Sequence, residues 1–171
     1  MTSTLVITDV DKLQGEISKV VGALKNKTGI YVSLNKTQKS VEKVFKKSGI
    51  KTEKIFFIDC VSLEKVREDV LHISPRELDK LEFAIKSFLK EIKGKKFLVI
   101  DALSTLLIYN DENKVAGFVK EVTSFSQKDV QIFAFSPVTK GEELLNKIFN
   151  FFDEVKKEDS KKDVNKKDLI Y

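Results

Sequence analysis

The sequence predicts one α/β domain of three layers, in which a parallel sheet lies between two layers of helices. Apolar runs of strand length alternate with segments whose apolar residues recur at helical spacing, from residue 5 to residue 155. The strand runs are short and almost wholly apolar, as at residues 97–100, which is typical of strands buried on both faces. A length of 171 residues suits a single domain.

The first third of the chain contains three predicted strands and two predicted helices. Residues 5–7 form the first strand, and apolar residues at helical spacing from Val10 to Leu24 predict the first helix. Residues 30–34 form the second strand. Thr37 can cap a second helix that Gly49 ends, and residues 55–58 form the third strand.

The third helix has the most complete start signal in the sequence. Residues 61–74 are less regular, with a short apolar piece at 70–73. Ser74 then stands at a predicted N-cap, Pro75 at the first helical position and Glu77 at the capping-box position. An apolar stripe follows and ends before Gly94, so we predict a helix that begins directly after Ser74.

The remaining elements repeat the alternation. Residues 97–100 form the fourth strand, residues 115–125 carry the stripe of a fourth helix, and residues 130–135 form the fifth strand. A last helix contains the apolar residues between 144 and 148, and residues 151–155 could form a further edge strand. Because helices separate successive strands, the crossovers predict parallel pairing.

The composition changes sharply after Val155. Residues 156–168 hold six lysines, four acids and a single apolar residue, Val164, so they cannot bury enough surface to offset the entropy of ordering. We therefore predict a domain over residues 1–155 and a charged, disordered C-terminal tail over residues 156–171. Residues Leu169, Ile170 and Tyr171 are the one hint of docking, on the core or on a partner.

Several kinds of site are excluded by composition. The chain has one cysteine, Cys60, and one histidine, His72, which excludes a disulfide framework, a structural zinc site and a Cys–His dyad. We therefore expect no metal site. No apolar run reaches membrane-spanning length, and residues 1–11 do not resemble a signal peptide, so we expect a cytoplasmic protein that does not contact membranes.

The positive charge is carried almost entirely by lysine. The net charge is +5, and of 31 basic residues only Arg67 and Arg76 are arginines, which is a poor signature for recognition of phosphates and bases. Three lysines of the second predicted helix nevertheless share a face opposite its apolar stripe: Lys39, Lys43 and Lys46. Nucleic-acid binding at this face is therefore an alternative that the composition does not favour.

Polar residues follow the strands where they end, which is the edge where ligands gather in an open parallel sheet. They are Asp9, Asp11, Ser33, Asn35, Asp59, Asp101, Ser104 and Ser136. Aspartates at such positions also cap helices and form turns, and we favour that interpretation for Asp9, Asp11 and Asp101.

Several segments of the sequence resemble the KaiC-like and other RecA-superfamily ATPases. Residues 29–36, Gly-Ile-Tyr-Val-Ser-Leu-Asn-Lys, are similar to their second strand, and residues 97–109 to their Walker B strand and the serine after it. Residues 131–136 and 142–155 resemble the later core elements. The resemblance implies the strand order 3-2-4-5-1 with the last strand beside strand one, and it makes Asp101 and Ser104 a degenerate Walker B region.

The sequence departs from this family at the positions that would bind and hydrolyse the nucleotide. A phosphate-binding loop has the pattern G-x-x-x-x-G-K-[ST] between the first strand and the first helix, whereas residues 8–18 read Thr-Asp-Val-Asp-Lys-Leu-Gln-Gly-Glu-Ile-Ser. Asp9 and Asp11 would repel a triphosphate, since like charges about 4 Å apart cost on the order of 4 kcal/mol near a surface. The glutamate that the family places after its second strand is replaced by Asn35.

The resulting hypothesis is a pseudo-ATPase without cofactor or enzymatic activity, which serves as a protein-binding or assembly module. Because the family's subunits associate around nucleotide, the expected partner is a second copy or an active RecA-superfamily ATPase. The alternatives are a nucleic-acid-binding accessory protein and a repurposed nucleotide site around Asp101. A receiver domain, with Asp9, Asp11 and Asp59 as its acids and Lys140 as its lysine, is disfavoured because residues 61–95 insert an element that receivers lack.

Overall fold

The computed structural model describes residues 2–62, 68–138, 142–158 and 163–164. The strands are β1 (Ser3–Thr8), β2 (Thr28–Ser33), β3 (Ile55–Asp59), β4 (Val70–His72), β5 (Lys96–Asp101), β6 (Val130–Pro137), β7 (Glu154–Glu158) and β8 (Asp163–Val164). The helices are α1 (Val10–Ala23), α2 (Gln38–Lys47), α3 (Leu78–Glu91), α4 (Glu112–Thr123) and α5 (Glu142–Ile148), and Leu103–Ile108 and Phe149–Phe151 are short 3-10 helices.

The strands form one sheet in the order β4-β3-β2-β5-β6-β1-β7-β8. All pairs are parallel except β7 with β8. The α/β class and the parallel sheet are confirmed, and so is the predicted strand order, in which β5 and β6 are the fourth and fifth predicted strands. The short apolar piece at residues 70–73 contributes β4, an edge strand outside β3 that the sequence analysis left unassigned.

Two apolar cores cover the two faces of the sheet because successive strand residues point to opposite sides. On β2, Ile30 and Val32 belong to the core that contains α3, α4 and α5, whereas Tyr31 belongs to the core that contains α1 and α2. Both cores are fully buried at these positions. The result is the predicted three-layer arrangement, with the carboxyl ends of the seven parallel strands at one edge.

Gly29 shows how closely β2 and β5 approach each other. Gly29 lies opposite Phe97, and a Cβ atom at Gly29 would stand 2.2 Å from Cζ of the Phe97 ring. Phe97 is 1% exposed, so its ring has no solvent to move into. Glycine is required here by the packed ring and not by its backbone angles.

The helix ends confirm one predicted signal and correct another. Thr37 is the N-cap of α2 and accepts a hydrogen bond from the Ser40 amide, and Gly49 follows the helix with φ of +72°. The predicted start of the third helix at Ser74 is wrong, because α3 begins at Leu78 with Glu77 as its N-cap.

Residues 74–77 form a turn instead of a first helical turn. The Ser74 hydroxyl accepts from the Arg76 amide at 3.3 Å, and the Glu77 amide donates to the Ser74 carbonyl at 3.0 Å. A serine followed by proline suits a turn as well as a helix start, since both use the same side-chain acceptor and the same fixed φ.

The predicted boundary between domain and tail, at Val155, falls inside β7. Strand β7 pairs with β1 as far as Glu158 opposite Thr8, and β8 pairs with the end of β7. Backbone pairing with an existing strand needs no apolar side chains, which is why the change in composition misplaces the end of the sheet. Residues 165–171 lie outside the described residues. In the described part of the chain, no helix has the length and apolar character needed to cross a membrane.

Candidate functional site

The centre of the candidate site is Asp101, at the carboxyl end of β5. Asp101 is 2% exposed, and its Oδ2 accepts a hydrogen bond of 2.6 Å from the hydroxyl of Tyr31, which is 0% exposed. The Tyr31 ring packs between Phe45, at 5.6 Å in an edge-to-face arrangement, and Phe57, at 5.7 Å. The Asp101 carboxylate therefore accepts a hydrogen bond from a tyrosine whose ring is part of a buried aromatic cluster.

The protonation behaviour of this pair follows from its burial. Burial raises the pKa of Asp101, while the hydrogen bond from Tyr31 and the charge of Lys36 oppose that rise. The pKa of Tyr31 is held well above its ordinary 10.0, first by burial and then by the neighbouring carboxylate. Tyr31 therefore stays protonated and remains the donor.

The backbone around Asp101 ties β5 to the end of β2. The Asp101 carbonyl accepts from the Leu34 amide at 2.7 Å, and the peptide bond between Asp101 and Ala102 is cis. Farther on, the Thr105 hydroxyl donates to the Asn35 side-chain oxygen. Ser104, the other residue of the predicted Walker B region, lies half-buried in the 3-10 helix that follows.

A lysine from β2's carboxyl end reaches across this edge toward α1. The Lys36 ammonium donates to the side-chain oxygen of Gln14, and the Lys36 carbonyl accepts from the Ser33 hydroxyl. Lys36 is also the positive charge that acts on Asp101. The predicted rim residues Ser33, Asn35 and Asp101 thus lie together, with Lys36 as the counter-charge of Asp101.

Asp59 has a structural role at the neighbouring strand end. Its Oδ2 accepts from the Gln38 amide at 2.9 Å, and its Oδ1 accepts from the amides of Val61 and Ser62 at 2.8 and 2.9 Å. The carboxylate joins the start of α2 to the turn after β3, because three backbone donors need an acceptor there.

Neither a metal cluster nor a receiver-like pocket is assembled from the described residues. In the described ranges, no group of three His, Cys, Asp or Glu side chains stands close enough to hold a metal ion. The receiver alternative needs Asp59 as a free acid, whereas its oxygens accept three amides. Lys140, the lysine of that alternative, lies outside the described residues.

The connection between β1 and α1 consists of one residue. Strand β1 ends at Thr8 and α1 begins at Val10, so Asp9 alone links them, as the N-cap of the helix. Its side chain makes no capping hydrogen bond, and Asp11 stands in the first turn. Asp9 therefore occupies the N-cap position, but the predicted capping role of its side chain is wrong, because the carboxylate accepts no amide of the helix. Lys12 is exposed.

The lysine face predicted on the second helix is present on α2. Lys39, Lys43 and Lys46 are exposed, whereas Val41 and Phe45 on the opposite side of the helix are 0% exposed. Residues at this spacing share one helix face. The structure therefore brings the three lysines together, away from the Asp101 pocket and on the outer surface of the domain.

Tyr31 is a site residue that the sequence patterns did not single out. A signal was available, because a tyrosine within an otherwise aliphatic strand needs a partner for its hydroxyl when it is buried. Tyr31 lies opposite Val99 in the β2–β5 register, so Asp101 projects from the same face one pleat farther along. The contact between Tyr31 and Asp101 depends on the register between β2 and β5, which cannot be read from the sequence.

The sequence profile of a family of unknown function, DUF7090, matches residues 8–167. The chain belongs to this family. No curated protein matches this DUF7090 chain.

Solved structures show what this DUF7090 fold is similar to. The KaiC-like protein PH0186 from the hyperthermophilic archaeon Pyrococcus horikoshii OT3 is 14% identical, with a TM-score of 0.67 over 92% of this chain and 71% of that one. The uncharacterized protein PH0321 from Pyrococcus horikoshii, solved in complex with an unknown peptide, is 12% identical, with a TM-score of 0.70 over 91% and 76%. PH0250 from Pyrococcus horikoshii OT3 is 11% identical, with a TM-score of 0.64 over 96% and 85%. The predicted KaiC-like, RecA-type fold is confirmed.

Proposed function

We propose that this protein is a non-catalytic relative of the KaiC-like ATPases and acts as a protein-binding or assembly module. The observation that carries the proposal is the single residue, Asp9, between β1 and α1. A phosphate-binding loop needs several residues at this place, with glycines that let consecutive backbone amides approach the phosphates and a lysine and hydroxyl that follow them. One residue provides no such loop.

The charge at this corner supports the same conclusion. The N-terminus of a helix attracts anions through its unpaired amides and its dipole. Here Asp9 and Asp11 place two carboxylates at the start of α1. These carboxylates interact favourably with the helix dipole and would repel a triphosphate. The corner of the sheet where a nucleotide would be expected is therefore stabilised without a bound nucleotide.

The surroundings of Asp101 also favour a structural role. A carboxylate that assists magnesium has to turn toward the phosphates, whereas an oxygen of Asp101 accepts the buried Tyr31 hydroxyl. A general base near the end of β2 would need a carboxylate, and Asn35 has an amide whose oxygen accepts from Thr105. Both side chains are thus engaged in hydrogen bonds within the chain, which supports a structural role for them.

Binding of a protein partner is supported by the structural neighbours. PH0321, which has a similar fold, was solved in complex with an unknown peptide. A fold that keeps its cores and its edges without a nucleotide site retains surfaces for peptides, for a second copy or for an active RecA-superfamily ATPase. We propose that such contacts, and not turnover of a small molecule, are the role of this chain.

A nucleotide titration tests the proposal. Thermal unfolding is followed with MgATP up to millimolar concentration, beside an active KaiC-like ATPase as positive control, and we expect no shift for this protein. A ligand at 100 times its Kd adds about 2.7 kcal/mol. At about 2–4 °C per kcal/mol for a chain of this size, that is roughly 5–11 °C. A shift of this size, lost in Asp101→Asn, would establish a repurposed nucleotide site instead.

The charge distribution favours one second candidate, a nucleic-acid-binding accessory protein. Residues 9–54, which include α1 and α2, hold eleven lysines and five acids, so the face of the sheet that these helices cover carries the excess positive charge. Lysine alone gives diffuse attraction without base recognition. We therefore expect negligible binding to single-stranded or duplex DNA at about 0.15 M salt, where the Debye length is about 8 Å.

A salt titration decides between the two functions. If the lysine face binds DNA, log Kd changes with log salt at about 0.9 per phosphate neutralised. Replacement of Lys39, Lys43 and Lys46 by glutamine would then flatten that slope by up to about three units. The control replaces three exposed lysines elsewhere, Lys90, Lys93 and Lys95, with the same change in net charge. Micromolar binding at physiological salt that only the first triple variant loses would favour the nucleic-acid function.

A further inference from the structure

The sheet ends at β4, which pairs with β3 on one side and has no neighbouring strand on the other among the described residues. An edge of this kind presents unpaired amides and carbonyls to any extended segment that approaches. Beside it lies a groove of about 530 Å³ between β4 and α3. Its lining comprises Phe56, Glu68, Asp69, Val70, Leu71, His72 and Phe88.

The groove is apolar at its floor and acidic at one end. Phe56 is 40% exposed and stacks on Phe88 at a ring distance of 5.6 Å, and Leu71, 39% exposed, lies next to them. Glu68 and Asp69 stand just before β4, where each already interacts with another group of the protein. A segment that fits has β-forming apolar side chains for the floor, and it adds to the sheet through its backbone.

One segment of this chain has that chemistry. Residues 166–171 read Lys-Lys-Asp-Leu-Ile-Tyr, with two lysines followed by three apolar residues of which two, isoleucine and tyrosine, are strong strand formers. We propose that residues 166–171 of a second copy of this chain add a strand to the β4 edge, with Leu169, Ile170 and Tyr171 against the apolar floor. This inference rests on the proposed assembly function and names its partner.

The geometry of the sheet requires the second copy. Strand β8, which ends at Val164, and β4 are at opposite edges, seven strand spacings apart. At about 4.8 Å per spacing the separation is about 34 Å. The five residues from Val164 to Leu169 span at most about 18 Å when fully extended. The segment cannot reach the β4 edge of its own domain, whereas it can reach that of a neighbour.

The contact that follows is head-to-tail. Each copy offers a groove at one edge of its sheet and a strand-forming segment at the other, so two copies joined in this way leave one groove and one segment unused. Such heterologous contacts continue into rings or filaments. The expected species are therefore not limited to dimers.

Sedimentation equilibrium of the full chain, from about 5 to 500 μM, tests the proposal. We expect the mean mass to rise with concentration for the wild type and to stay monomeric in two variants. One is Leu71→Lys, which places a charge on the groove floor. The other replaces Leu169, Ile170 and Tyr171 by serine. Ile108→Lys, at a residue 73% exposed and outside the groove lining, is the matched control and should associate like the wild type.

Mixing the two defective variants gives the sharpest result. The Leu71→Lys protein keeps an intact segment and the triple-serine protein keeps an intact groove, so their mixture should form a 1:1 heterodimer and stop there. Circular dichroism of each variant establishes that it is folded. A wild type that stays monomeric up to 500 μM, association that both variants retain, or a mixture that forms no heterodimer would each overturn the proposal. These outcomes leave the nucleotide titration unaffected, so failure of this inference is distinguishable from failure of the proposed function.

Discussion

Replacement of Tyr31 by phenylalanine tests the most buried polar contact at the candidate site. The change removes one hydroxyl and leaves the ring between Phe45 and Phe57, so apolar packing is preserved. What is lost is a 2.6 Å hydrogen bond to the carboxylate of Asp101, at two positions that are 0% and 2% exposed. A hydrogen bond to a charged group contributes about 1.5–3 kcal/mol, so we expect the melting temperature to fall by roughly 3–12 °C.

The loss should depend on pH in a defined direction. The pKa of Asp101 is raised in the folded state, so between its ordinary 3.8 and the raised value the folded protein binds more protons than the unfolded chain. Stability at this group therefore falls as pH rises through that window. The Tyr31 hydroxyl opposes the rise, and its removal moves the folded pKa farther up. The difference between wild type and Tyr31→Phe should grow from acid to neutral pH.

Urea unfolding followed by circular dichroism between pH 4 and pH 8 measures both effects. Tyr109→Phe, the same change at a residue 40% exposed, is the control and should cost little at any pH. Asp101→Asn keeps an acceptor and removes the buried charge, so it should be more stable than the wild type at pH 7 and approach it toward pH 4. A loss for Tyr31→Phe that is below about 0.5 kcal/mol, or equally large at both ends of the pH range, would refute the reasoning.

Two further predictions concern other buried groups. Gly29→Ala should lower the free energy of unfolding by about 1–3 kcal/mol, because the new Cβ meets the Phe97 ring at 2.2 Å. In a double-mutant cycle, Phe97→Leu should recover part of that loss. Strictly additive losses would contradict this explanation. Burial, and then the Asp59 carboxylate, raises the pKa of Cys60 from 9.0 to about 12. Because the thiolate is the reactive form, iodoacetamide at pH 8 should modify the native thiol ~1000-fold more slowly than the urea-unfolded one. Comparable rates would contradict this explanation.

The strands and their parallel pairing were predictable because buried parallel strands leave a signal in sequence, whereas the strand order followed from the resemblance to the KaiC-like ATPases. Each of the five central strands contains an apolar run of three or four residues, and the helices between them dictate parallel pairing. Strand β4 gave no comparable signal, since it has three residues and Leu71 projects toward solvent. Its existence depends on pairing with β3, which is a property of the folded sheet.

Capping residues in the sequence predicted the start of a helix correctly only where no turn used the same residues. Thr37 precedes α2 and its hydroxyl accepts the Ser40 amide, as the sequence indicated. Ser74 carries the same kind of hydroxyl and precedes proline, yet it closes a turn and α3 begins at Leu78. Capping groups satisfy amides in turns as readily as in helices, so tertiary packing selects between them.

At the candidate site the acid was predictable and its environment was not. Asp101 follows an apolar strand, which places it at the carboxyl edge from sequence alone. The Tyr31 hydroxyl that it accepts is 70 residues away, and the two meet because β2 and β5 pair in one particular register. The pKa of Asp101 depends on that register and on the charge of Lys36, and neither can be deduced from composition.

The Tyr31–Asp101 pair explains how the fold stays stable without a ligand at this edge. An isolated buried carboxylate destabilises a domain by several kcal/mol unless hydrogen bonds or charges compensate it. Here Tyr31 and Lys36 provide part of that compensation from within the chain, and burial still keeps the pKa of Asp101 raised. At the adjacent corner, Asp9 and Asp11 stand at the positive end of α1 and complement its dipole in the way a phosphate would. Side chains of this protein thus meet part of the electrostatic demand that a bound nucleotide and its magnesium would meet, which is the physical basis for proposing a domain that works through its surfaces.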